Sequence, residues 1–241
     1  MCFNETASLI AFMVGIVGQS IAVTKEASAN ATSKTKNHTR TYLSMALSFV
    51  VVMQLYEVFM HRRRTGKSSI QGVERMAMLT NFLQPVAVLA AVVAIRQRDI
   101  ASRKFLPFWI FMAGVNALYF SRVFPIIRSK WDMPSTPVCK SANTKREGET
   151  SCNLKWPWYD LPVDQYYMLT ILYLVNVCAP LLMLRPKESG GALVISIVGL
   201  LSLSNALPSG NKPSSWCFLA VLLPWVVIFI PTRQRGTLSS M

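Results

Sequence analysis

The sequence predicts an all-α, polytopic integral membrane protein with seven transmembrane helices. Three observations carry that prediction. Of 241 residues, 52% are hydrophobic and only 15% are charged, against about 25% charged in an average soluble domain. Mean hydropathy is +0.35. The charges avoid a series of windows, several of which reach the roughly 17–25 apolar residues that cross a bilayer core. Lipid offers the backbone no hydrogen-bond partner, so each window reads as a helix.

The windows cover residues 8–23, 42–60, 77–95, 105–124, 165–184, 191–207 and 215–230. The first is short and contains glycines, and the sixth is also marginal in length. Pro85, Pro180 and Pro224 fall inside windows. Each removes a backbone donor and bends its helix. Residues 1–241 form one membrane domain, and the single long connection is 125–164. The opening "MCFNETASLIAF" lacks the basic stretch of a signal peptide, so the first span is expected to be retained. Cys2 stands where myristoylation needs glycine.

A net charge of +14 raises the question of nucleic acid. The Lys and Arg residues lie instead in short loops between apolar runs, where they orient spans, and no nucleic-acid motif accompanies them. The expected partners are the lipid bilayer, including anionic lipids, and membrane or capsid proteins. With seven crossings, Lys and Arg divide evenly between the two sides. The long fourth loop is a weak determinant, and setting it aside places the N-terminus outside. The cluster His61–Arg64 opposes that orientation, as do the sequons at Asn30 and Asn37.

Loop 125–164 contains Cys139 and Cys152. In an oxidising compartment they could close a disulfide, worth on the order of 3 kcal/mol; free thiols are the alternative. A metal site is poorly supported, since there is no Cys-x-x-Cys pair and the only histidines are His38 and His61. No cofactor is implied. Trp156, Trp158, Tyr159, Tyr166 and Tyr167 read as an interfacial aromatic belt.

Counting crossings assigns polar residues to leaflets without an absolute orientation. Glu57, Arg122 and Asn205 stand near the ends of even spans; Asn81, Gln84, Trp216 and Cys217 stand near the starts of odd ones; Cys2 precedes the first. All fall toward the leaflet beneath loop four. Charge inside a span costs roughly 2.5–3.5 kcal/mol at the centre. Two readings of Glu57 and Arg122 are open. Both snorkel to headgroups from terminal turns, or they pair inside the bundle and line a polar pocket with Asn81, Gln84, Asn205 and Trp216. Asn81 and Gln84 share a helix face. Ser196, Gly199, Ser202 and Asn205 form a stripe whose default meaning is close helix packing.

Several chemistries lack their motifs. There is no potassium-filter sequence and no lysine in span seven for a retinal Schiff base. "RTGKSSI" has His61 where a phosphate loop needs its first glycine. No HExxH or GxSxG occurs. No nucleophile–base arrangement identifies an enzyme, although Cys2 and Cys217 are possible reactive thiols.

Four segments resemble a family of uncharacterised multi-pass membrane proteins, chiefly bacterial, known as a domain of unknown function. "MCFNETAS" is similar to its Met-Cys…Ala-Ser start, with Glu5 and Thr6 departing from it. "NFLQPV" is similar to its His-x-x-x-Gln-Pro segment, with Asn rather than His near the start. "WPWYDLP" resembles its Trp-Asp-x-Pro segment, and "NALPSGNKPSSWCFLA" its stretch leading to Trp-Cys. The resemblance implies a seven-helix architecture and makes Cys2, Gln84, Pro85, Asp160, Trp216 and Cys217 motif positions. It implies no activity, and the missing His argues against a metal or proton-relay role.

Two functions follow as expectations. One is a membrane protein that binds or moves a small solute or ion through a polar pocket near the N-terminal-side leaflet. The other is a structural membrane scaffold or envelope (virion) component engaging partners through basic loops.

Overall fold

A computed structural model describes residues 5–32, 38–64, 72–100, 103–139, 152–184, 190–206, 216 and 219–230. The described residues are helical apart from one short hairpin and the turns between elements. The helices are α1 Glu5–Thr32, α2 Thr39–Arg64, α3 Val73–Ile100, α4 Leu106–Lys130, α5 Val163–Leu182, α6 Gly190–Ala206 and α7 Leu223–Ile228. Strands β1 Thr136–Cys139 and β2 Cys152–Lys155 pair antiparallel in the fourth connection.

Helices α1 to α5 are long and apolar enough to cross a membrane. At 1.5 Å per residue, the shortest of them, α5, extends about 30 Å, the thickness of the hydrocarbon core. The expected number of spans is seven; by length, five qualify among the described residues. Helix α6 has 17 residues. The expected seventh span is broken rather than continuous. Pro224 occupies the first turn of α7, where its missing N–H costs nothing. Upstream, Leu222 N–H bonds Leu219 O and Trp225 N–H bonds Leu222 O in tight three-residue turns. A proline ring would collide with the carbonyl four residues back in a continuous helix; the helix restarts at Leu223, just ahead of Pro224. Pro125 was expected to open loop four, yet it lies inside α4, which runs on to Lys130. Ahead of α3, Gly72 adopts φ +78, a conformation glycine reaches without steric cost, and its carbonyl accepts the first α3 bond from Met76.

Helix α2 lies between α1 and α3, α3 packs on α5, and α5 packs on α4 and α6. Helix α7 touches α1, α2 and α6. Helices α2, α3, α5, α6 and α7 therefore close a ring, with α1 on its α2–α7 seam and α4 leaning on α5 from outside. The buried face of α1 is Ser8, Ala11, Gly15, Gly18, Gln19, Ala22 and Glu26, while Ile10, Met13 and Val17 face outward. Small and polar residues inside with large apolar ones outside is the order lipid favours. Gly15 lets α2 approach, since a Cβ there would stand 2.7 Å from Val51 Cγ2.

Antiparallel packing of α1 and α2 is fixed at both ends. At one, Ser8 reaches Glu57. At the other, the buried Glu26 carboxylate accepts Arg40 N–H at 2.8 Å, Thr41 N–H at 2.8 Å and the Thr41 hydroxyl at 2.6 Å. A carboxylate at a helix N-terminus satisfies orphan donors and complements the helix dipole. The Arg40 guanidinium in turn donates to Ile230 O, tying the end of α7 to the start of α2.

Candidate functional site

The structure divides the expected polar residues between two places. Glu57 belongs to the first, the α1–α2 seam. It is 1% exposed, and its Oε2 accepts the Ser8 hydroxyl at 3.0 Å. One turn earlier Gln54 is fully buried. Among the described residues, Glu57 Oε1 and both amide atoms of Gln54 have no hydrogen-bond partner. Glu57 therefore does not snorkel: its carboxyl is held inside the bundle.

The expected Glu57–Arg122 pair does not form. Arg122 is exposed on α4, and no ion pair joins it to Glu57 among the described residues. The reason is the order of helices around the ring. Glu57 faces the α1–α2 seam on one flank, and α4 lies on another, so equal depth does not make the two residues neighbours. Charges at this end of the bundle pair differently: Arg62 with Glu5 at 2.7 Å, Arg63 with Glu74 at 2.8 Å, and Arg75 with Asp132.

The second place is the end of the bundle beneath loop four. Asn81 Nδ2 donates to the Tyr159 hydroxyl at 2.6 Å. Gln84, 2% exposed, accepts the Tyr173 hydroxyl at 2.6 Å and donates to Phe49 O at 3.4 Å. The Tyr119 hydroxyl donates to Phe82 O at 3.3 Å. Of these, Tyr159, Tyr173, Tyr119 and Phe82 line a cavity of about 40 Å³, enough for a few water molecules. Tyr119, Tyr159, Tyr166, Tyr173, Ser204 and Trp216 contribute to its wall. No charged side chain lines it among the described residues.

Loop four positions this wall. Trp156 and Trp158 were expected in an interfacial belt, but both are wholly buried and stack with ring centroids 5.3 Å apart. Their burial plants the Pro157–Tyr159 turn in the bundle, and Trp156 also stacks on Tyr159 at 5.9 Å. The Tyr159 hydroxyl is thereby delivered to Asn81. Only Tyr167 of the expected belt is exposed.

Gln84 and Trp216 both line a second recess of about 30 Å³, and Asn81 reaches the wall of the first through Tyr159. Asn205 lies in α6, but its side chain is outside the described residues, as are Cys2 and Cys217. Cys139 and Cys152 are Cα partners across the β1–β2 ladder; their side chains lie outside the described set. Asn116 and Asn176 each donate to the carbonyl one turn back in their own helix. The residues that sequence reasoning missed are Tyr119, Thr170, Tyr173 and Ser204. Tyr166, Thr170 and Tyr173 recur at i, i+4 and i+7 along α5, a hydroxyl stripe in an apolar helix that could have signalled this face. No protein-family model, curated protein or solved structure matches the chain.

Proposed function

We propose that the protein crosses the membrane seven times, with its N-terminus outside, and binds a small neutral solute in the tyrosine-walled cavity for passage across or storage within the bilayer. In this reading α6 and the segment ending in α7 complete the seven spans, and membership of the family resembled by the four motifs is part of the proposal. The observation that carries it is the cavity itself. Hydroxyl and amide groups of Asn81, Tyr159, Gln84 and Tyr173 converge at one end of a helical ring, and each is positioned by a partner. Pre-positioned polar groups in an otherwise apolar recess are the usual composition of a ligand site. A wall without charge favours a neutral solute over an ion. Glu57 contributes to the α1–α2 seam in this reading and not to the solute site.

Thiol accessibility tests it. Ser204→Cys, on the cavity wall, should react with a membrane-impermeant maleimide added from the loop-four side, above the background of the parent protein. Ser196→Cys, two turns away on α6, should not. Equal labelling of both, or of neither, would remove the case for a water-accessible site.

A second reading has its own observation. Helix α4 is the least buried of the five long helices, and Ala113, Gly114, Ala117 and Ser121 lie exposed along it with Arg122. Small residues at four-residue spacing permit close helix approach. They favour a scaffold or envelope component that takes a membrane partner on α4, with the basic cluster at Arg62 and Arg63 drawing anionic lipid. Ala117→Cys crosslinking to a second protein in native membranes is the measurement; only lipid-facing behaviour there would dismiss it.

A further inference from the structure

The α1–α2 seam holds a group of polar atoms that the solute site does not use. Ser8, Gln54 and Glu57 are all buried there. The Ser8 hydroxyl donates to Glu57 Oε2 at 3.0 Å. Glu57 Oε1, Gln54 Oε1 and Gln54 Nε2 have no hydrogen-bond partner among the described residues. Gln54 and Glu57 stand at i and i+3 and so share one face of α2. Three partnerless atoms on one buried turn are an exception, because interior polar groups are almost always paired.

No cation answers this carboxyl. Helix α2 packs on α1, α3 and α7. From α1, Glu5 is paired with Arg62. From the first turn of α3, Glu74 is paired with Arg63 and Arg75 with Asp132. Helix α7 carries no charge. On α2 itself the nearby titratable groups are Tyr56 and the half-buried His61, one turn closer to the helix end. No ion pair joins Glu57 among the described residues. A buried carboxylate without a counter-charge takes up a proton instead of staying ionised. The proton also turns Oε1 from an acceptor into a donor, and Gln54 Oε1 is a vacant acceptor on the same face. The residues that do not fit together around an anion are complementary around an acid. The way out is short: Arg62, exposed at the bundle end, stands five residues beyond Glu57, about 7.5 Å along the helix.

The geometry points to a reversible proton-binding site at Glu57. The carboxyl is a neutral acid in the closed seam, with Oε2 accepting from Ser8 and Oε1 offering its proton to Gln54, and it exchanges that proton with water at the Arg62–Glu5 end. Carboxyls held inside helical bundles are the groups from which membrane proteins build proton relays. The site is separate from the tyrosine-walled cavity and stands or falls independently of it.

The test uses the full-length protein in lipid nanodiscs. Dicyclohexylcarbodiimide, which is apolar, reacts with a carboxyl that still holds its proton: the proton passes to a reagent nitrogen as the carboxyl oxygen adds to the central carbon. Peptide mapping should find the adduct on Glu57, and a charged, water-soluble carbodiimide should leave Glu57 unlabelled. As pH rises, labelling should fall about tenfold per pH unit once the carboxyl ionises, and a carboxylic C=O infrared band should fade in step. Glu57→Gln should lack that band, and sodium chloride at fixed pH should change neither readout. Labelling of the parent protein decides the matter without any variant, so a Glu57→Gln chain that does not fold leaves the test intact. Absence of both adduct and band at every pH would mean a permanent carboxylate and would overturn the inference. So would a band that persists until the protein unfolds, which would mean an acid that exchanges nothing. Protection of Glu57 by sodium at fixed pH would overturn it in favour of a metal ion.

Discussion

Replacing Glu26 by alanine should destabilise the protein by about 3 kcal/mol. Glu26 is 1% exposed, and its two oxygens accept two backbone N–H groups and one hydroxyl from the first turn of α2. Losing an N-terminal cap costs up to about 2 kcal/mol. Removing a charge from a helix N-terminus costs up to about 1 kcal/mol more when partly exposed, and up to about 2 kcal/mol when buried. Alanine leaves Arg40 N–H and Thr41 N–H facing an apolar gap, so neither contribution is recovered. Glu26→Gln retains an acceptor and loses the charge, and should cost about 1–2 kcal/mol. The comparator is Glu74→Ala, which breaks the Arg63–Glu74 pair. That pair is equally short, but the arginine side chain is 42% exposed, so under about 1 kcal/mol is expected. The assay is equilibrium unfolding in detergent micelles titrated with SDS and followed by tryptophan fluorescence. If Glu26→Ala lies within about 0.5 kcal/mol of the parent, or Glu74→Ala matches it, the capping reasoning is refuted.

Three further outcomes follow from the packing. Gly15→Ala should cost about 1–3 kcal/mol by overpacking against Val51, and Val51→Ala in the same chain should recover much of it; additive losses in the same unfolding assay would show that the two sites are not in contact. Ser8→Ala removes a hydrogen bond to the buried Glu57 carboxyl and should cost about 1–3 kcal/mol, whereas Ser8→Thr, which keeps the hydroxyl, should cost less; equal losses would mean that packing and not the bond matters. Cys139 and Cys152 are Cα partners, and opposed residues in an antiparallel ladder stand about 4.5–5.5 Å apart at Cα, inside the disulfide range. Cys139→Ser should therefore abolish a mobility difference between reduced and non-reduced protein on gels, and a parent protein without such a difference would show free thiols.

Much of the fold is legible in the chain because lipid imposes a simple rule. A run of apolar residues must satisfy its own backbone, so the centres of five long helices coincide with five apolar windows. Boundaries are less legible. Helix α1 extends to Thr32 through Lys25 and Glu26, since a helix does not stop where hydropathy does. Pro125 reads as a terminator, but bundle packing carries α4 past it. Trp156 and Trp158 read as interfacial, because composition cannot tell an indole at the headgroups from one folded back into the core. The tyrosine-walled recess is legible only in part. Gln84 and Trp216 stand out as polar or amphipathic residues at span ends, whereas Tyr173 hides among apolar neighbours in mid-span and lines both recesses.

The sequence alone determines which segments are apolar enough to enter a membrane and where along each helix a polar residue falls, because a helix rises 1.5 Å per residue. It does not determine which residues meet. Glu57 and Arg122 share a depth, yet α1 claims one and α4 exposes the other. The order of helices around the ring, and the rotation of each about its own axis, are decided by side-chain packing between elements far apart in the chain. Only that tertiary order separates Glu57 from the tyrosine-walled recess and places Tyr173 and Trp216 in its wall.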